Sequence, residues 1–203
     1  MLSIIEAAGW PIWFIIVTSI VALAIIGERF WSLRMSLVAP RDVLPATIRE
    51  YQAKGASPEL IGRLQQGPLI GRIFAAALLN ERSSREVIKD AVEDAGRAVT
   101  LELERFLNTL GTIATVSTLL GLFGTIVGMI EIFGSQNPAS GGNPAQLAHG
   151  ISVALYNTLF GIGVAIPAVI FYRHFRNRVD VFVVEMESQA IKLIEIIHGE
   201  RRA

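Results

Sequence analysis

Cysteine is absent from this 203-residue chain. That excludes a disulfide scaffold, an iron–sulfur cluster and cysteine-ligated zinc. A net charge is also lacking: 18 basic and 18 acidic side chains cancel, so the basic excess of a general nucleic-acid binder is missing. Only three lysines occur and none follows a glycine, which removes a Walker A loop. No serine sits in a G-x-S-x-G elbow. His149, His174 and His198 are scattered, without an H-E-x-x-H pair. No metal, cofactor or catalytic constellation is therefore expected, and an enzyme is not the reading.

Charge itself is missing from two long stretches. Residues 1–27 carry only Glu6, and residues 107–172 carry only Glu131. These stretches hold three apolar runs, Ala7–Gly27, Leu110–Ile130 and Ile151–Tyr172. Each has about 20 residues, what a helix needs to cross a bilayer core of ~30 Å. The first run could be a signal peptide, with Ala22-Leu23-Ala24 as a cleavage-like site, but the chain opens MLSIIE without the basic start that such a peptide uses. A retained span is the better reading.

All 18 basic residues lie in 28–106 or 173–203. The positive-inside rule then places both segments in the cytoplasm and the N-terminus and the 134–150 loop outside. The expected order is an outer N-terminus and first span (1–27), a cytoplasmic helical segment (28–106), a second span (107–133), an outer loop (134–150), a third span (151–172) and a cytoplasmic C-terminal helix (173–203). Trp10, Trp13, Phe30 and Trp31 bracket the first span as interfacial anchors.

Within 35–80, Pro40, Pro45, Gly55, Pro58, Gly67 and Pro68 predict short helices and turns. Ser83 and Glu86 have the spacing of a capping box. The stripe Val87, Ile88, Ala91, Val92, Ala95, Ala98, Val99, Leu103 and Phe106 predicts an amphipathic helix. No proline or glycine breaks it between Arg97 and Leu110, so one continuous helix from about Glu86 to Phe133 is expected, roughly 70 Å long. A second stripe, Val179, Phe182, Val183, Met186, Ala190, Ile191, Ile194 and Ile197, carries the third span onward in the same way. The fold class is thus an all-α membrane protein with three transmembrane helices, the second and third extended into the cytoplasm as a long helical hairpin or bundle. The unpaired stripes fit either an intramolecular bundle or self-association. The loop SQNPASGGNPAQLAHG reads as a plain turn.

Membrane helices associate through small and polar residues. The second span sets Gly111, Thr115, Thr118, Gly121 or Leu122, Thr125 and Gly128 on one face, with Gly124 and Gly128 adding a GxxxG step, and the third sets Ala154, Thr158, Gly161, Ala165 and Ala168, with Asn157 beside them. Pro167 lies deep in the third span, where it can bend the helix or free a carbonyl. Such faces serve close packing, or they line a hydroxyl-bearing path for protons. A hydroxyl cannot store a proton near neutral pH, and relays ordinarily include a carboxylate or imidazole. The spans offer none at mid-depth; Glu131 sits at the outer rim of the second, where a solvated anchor is the plain reading. A proton conductor built this way needs its titrating group from another chain.

The segment Gly27-Glu28-Arg29-Phe30-Trp31, the run LLGLFGTIVGMIEIF (119–133) and the run GISVALYNTLFGIGVAIPAVIFY (150–172) together resemble the ExbB/TolQ/MotA proton-channel family over nearly the whole chain. Three spans rather than four point to its ExbB/TolQ side, with ExbB favoured over TolQ. The resemblance implies a subunit of a motor in the bacterial inner membrane, driven by the proton-motive force. It implies a ring of copies, a pentamer in the family, around a dimer of one-span ExbD- or TolR-like partners. The partner helix supplies a membrane aspartate, and the work passes to a TonB- or TolA-type transducer. It also implies that Thr125 and Thr158 face the pore, with Thr118, Gly121, Gly128, Ala154, Asn157, Gly161, Ala165 and Pro167 as further pore or packing positions. One departure stands out: many relatives carry glutamate where this chain has Val153, which leaves the partner's aspartate to carry the proton. A non-conducting membrane scaffold and a self-contained transporter are the alternatives, and the latter expects more spans or internal repeats.

Overall fold

The computed structural model describes residues 8–135 and 144–200. All regular structure among these residues is helical: α1 (Ile12–Ser32), α2 (Met35–Val38), α3 (Val43–Lys54), α4 (Pro58–Gln66), α5 (Leu69–Leu79), α6 (Arg85–Leu103), α7 (Leu107–Ser135) and α8 (Pro144–Ile197). Three stretches are long and apolar enough to cross a membrane: Ile12–Ser32, Arg85–Gly134 and Leu147–Ile197. Large apolar side chains along them stay exposed, among them Ile20, Leu23, Leu119, Leu159 and Ile170. Water would penalise such surfaces, whereas lipid does not.

The chain divides into two compact units, Met1–Glu28 with Phe106–His174 and Arg29–Arg105 with Phe175–Ala203. The first holds the apolar parts of α1, α7 and α8. Trp10, just ahead of α1, packs edge-to-face on Phe123 of α7 with centroids 5.9 Å apart. Ile12 and Ile15 are buried.

The second unit is built on α5, whose Ile70, Ile73, Phe74 and Leu78 are buried. Each such side chain contributes about 1.5–3 kcal/mol on leaving water. With 11 residues, α5 is too short to span a bilayer. It follows α4, which opens with Ser57 as a true cap: the Leu60 amide donates to Ser57 Oγ at 3.2 Å. The two helices meet so closely that a Cβ at Gly71 would stand 2.4 Å from the Leu64 carbonyl oxygen. Gly71→Ala is expected to destabilise this unit by about 1–3 kcal/mol, seen as a lower melting midpoint in detergent. Gly62→Ala, where a Cβ meets open space, should not lower the midpoint in the same measurement.

Val179, Phe182, Met186, Ala190 and Ile194 of the expected α8 stripe are buried in this unit, with Phe175 and Leu193 beside them, whereas Ile191 is exposed. Phe30 stacks edge-to-face on Phe175 at 5.1 Å. Arg178 Nε donates to the Leu33 carbonyl at 2.9 Å. On the exposed flank of α6, a hydrogen bond and the charge of Arg97 hold the Glu93 carboxyl below the usual range.

Several local expectations are corrected. The helix does not run unbroken into the second span: residues 104–106 form a turn, and Phe106 has φ 65°. No glycine or proline marks the break. Long-range partners hold it instead. Buried Arg29 donates to the Leu103 carbonyl at 3.1 Å, a favourable place for a cation at a helix C-terminus. Arg176 pairs with Glu104 at 3.1 Å. The expected capping box is also absent, because Ser84 occupies the N-cap of α6 and its side chain makes no capping bond. Pro45 breaks nothing; it sits in the first turn of α3, where the amide it lacks would have had no helical partner. The expected turn of 134–150 is shorter, since α7 continues to Ser135 and α8 starts at Pro144. Residues 136–143 lie outside the described residues.

Candidate functional site

The apolar unit has its closest helix contact where glycine faces glycine. A Cβ at Gly161 would lie 2.5 Å from the Ser117 carbonyl oxygen and 2.8 Å from Gly121 Cα. A Cβ at Gly121 would lie 2.9 Å from the Asn157 carbonyl oxygen. Bare backbone on both sides lets α7 and α8 approach this closely, as small-residue pairs do in membranes. Farther along the same contact, Gly128 faces Ala154, its would-be Cβ 3.0 Å from Ala154 Cβ.

That approach brings two hydroxyls together. Thr125 Oγ1 and Thr158 Oγ1 are 2.5 Å apart, and either can be the donor. Thr125 Oγ1 can also donate to the carbonyls of Gly121 at 3.1 Å or Ala154 at 3.2 Å. Thr158 Oγ1 can donate to the Gly121 carbonyl at 3.3 Å. A hydroxyl has one proton and two lone pairs. The pair therefore has two arrangements of similar quality: Thr125 donates to Thr158 while Thr158 donates to Gly121, or Thr158 donates to Thr125 while Thr125 donates to Ala154. Reversing the chain of donors needs only hydroxyl rotation.

Polar groups continue beside the pair. Asn157 is 1% exposed; its Nδ2 donates to the Ala8 carbonyl at 2.8 Å, and its Oδ1 is buried without a partner among the described residues. Ser117 Oγ, fully buried, is likewise unpartnered among them. Ser117 was not singled out by its sequence; its place at the Gly161 crossing is the signal, and only the fold reveals it.

The other expected positions divide. Gly121, Gly128, Ala154, Asn157 and Gly161 join the two threonines along the α7–α8 contact. Thr118 and Ala165 instead line an open cleft of about 810 Å³ between α7 and α8, bounded by Gly111 and Tyr172 at one end. Thr118 turns its hydroxyl back to the Ala114 carbonyl at 3.3 Å. Pro167 lies exposed within α8, which continues through it; the carbonyl four residues earlier, at Gly163, loses its amide partner there.

Sequence comparison agrees with this architecture. The MotA/TolQ/ExbB proton channel family matches residues 65–188. The chain is 37% identical over 168 residues to an ExbB-like biopolymer transport protein of Synechocystis (ExbB-like 3), covering 78% of this chain and 77% of that one. It is 28% identical over 173 residues to the biopolymer transport protein exbB1 of Vibrio cholerae, covering 81% and 74%. It is 30% identical over 189 residues to the Tol-Pal system protein TolQ of Pseudomonas aeruginosa, covering 87% and 74%. With three helices fit to span a membrane, the chain is an integral membrane protein that belongs to the MotA/TolQ/ExbB proton channel family.

Proposed function

We propose that this protein is the multi-span subunit of an ExbB-type proton-driven motor in the bacterial inner membrane, with its N-terminus outside and its C-terminus in the cytoplasm. Copies of the chain form a ring, a pentamer as the family resemblance implies, around a dimer of one-span partners of the ExbD or TolR kind. Thr125 and Thr158 line the proton path. The partner's membrane carboxylate takes and releases the proton, and the resulting motion drives a TonB-type transducer or, in a TolQ-like setting, TolA.

The observation that supports this most directly is the Thr125–Thr158 hydroxyl contact at 2.5 Å in spans with no acidic or basic residue at mid-depth. Reversible donors can hand a proton along but cannot hold one, so the storing group has to come from a second chain. Ionisable groups inside membranes characteristically mark such relays. The test is proton flux into proteoliposomes. Flux should need both this chain and a one-span protein bearing a membrane aspartate, and should vanish when that aspartate becomes asparagine. Equal flux from this chain alone would remove the shared-path reading. Native mass measurement in mild detergent should give a ring of several copies, and a monomer would contradict the assembly.

A further inference from the structure

Glu131 and His149 are 18 positions apart, on different helices, yet they line one cavity. It has a volume of about 390 Å³ and is bounded on its other sides by Gly128, Val153, Ala154 and Asn157 and by the 8–11 segment. Water occupies ~30 Å³ per molecule in the liquid, so several fit. Glu131 and His149, which line the cavity, are both exposed. Its inner wall is Asn157, almost wholly buried, with Oδ1 lacking any donor among the described residues. A buried amide oxygen left unmatched carries a desolvation penalty. A water in this cavity that donates to it removes that penalty.

The cavity stops short of the threonine pair but shares Ala154 with it. Ala154, part of its lining, provides the carbonyl that accepts from Thr125 Oγ1, and Thr158 is the next residue after Asn157. Among the described residues, the titratable groups facing the space are Glu131 from α7 and His149 from α8, while Ala8, Gly9 and Pro11 bring no charge. Val153 is apolar, so the acid in this cavity comes from α7 rather than from the neighbouring turn of α8.

We propose that this cavity is a hydrated proton-loading vestibule. Glu131 and His149 exchange protons with bulk water, and water held by Asn157 Oδ1 passes them to Thr158 and Thr125. Each transfer moves one proton from a protonated donor to the lone pair of the next acceptor and needs no other reactant. The proposal rests on the conduction reading and assigns it an entrance.

Two measurements separate the claims. In the full chain in lipid nanodiscs, isotope-edited infrared difference against Glu131→Gln isolates the carboxyl band of Glu131. That band should change in His149→Gln, because the two side chains line one cavity. In proteoliposomes with the one-span partner, Glu131→Gln should lower flux severalfold at neutral outer pH. Flux should return as the outer side is acidified, when protons no longer need a collecting group. Thr125→Val should stay reduced at every outer pH. A Glu131 band indifferent to His149, or a Glu131→Gln flux equal to wild type at neutral pH, overturns the vestibule. Full flux in Thr125→Val would instead sink the conduction reading, with the infrared coupling left standing.

Discussion

Gly161→Leu should yield little folded protein in detergent, and Gly161→Ala should already lower the melting midpoint markedly. The reason is geometric. The first carbon of any side chain at 161 would sit 2.5 Å from the Ser117 carbonyl oxygen and 2.8 Å from Gly121 Cα. Both obstacles are backbone, so no rotamer change relieves them, and α7 and α8 must separate. One methyl forced into a packed contact typically costs about 1–3 kcal/mol. A leucine adds further carbons to the same place. Separation also breaks the hydroxyl contact one turn away, because Thr158 and Gly161 share the approach to α7. Gly163→Ala is the matched control. A Cβ there meets open space, and alanine in a helix interior gains up to about 1 kcal/mol over glycine. Wild-type stability in Gly161→Ala would mean that the helices are not held at this crossing.

How far such a crossing can be read from residues alone varies from one feature to the next. The spans were legible because an uncharged apolar run of bilayer length is stable chiefly in lipid. The small face of α7 was legible because Gly111, Thr115, Thr118, Gly121, Thr125 and Gly128 recur at helical spacing. Periodicity shows a face but not how much of it a neighbour covers, so Thr118 shared a stripe with Thr125 yet lies on the open cleft. The turn at 104–106 left no local mark. A phenylalanine with positive φ is rare, and the groups that secure the end of α6 there, Arg29 and Arg176, lie about 70 residues away on either side. Glu131 and His149 looked unrelated for the same reason: the residues between them carry no periodicity that fixes which faces meet.

The second large effect is expected at the hydroxyl pair. Thr125→Val and Thr158→Val each keep the branched shape and remove one hydroxyl, so assembly and melting should stay close to wild type. Both hydroxyls are half-buried beside backbone carbonyls, and those carbonyls keep their helical amide partners, which limits the stability cost. Conduction is another matter. If the pair carries a proton past mid-membrane, each variant removes a hydrogen bond to a charged species, a loss of about 1.5–3 kcal/mol. In rate that is roughly ten- to a hundredfold. The double variant should add little to either single one, because a relay cut once is already cut. Thr→Ser at either position keeps the donor and should keep most of the flux. Packing alone predicts the opposite ranking. Serine, which loses a methyl from the contact, would then be the damaging change, and valine would pass unnoticed. Proton flux measured across this set, with ring assembly checked on each variant, decides whether the 2.5 Å contact moves protons or only fills space.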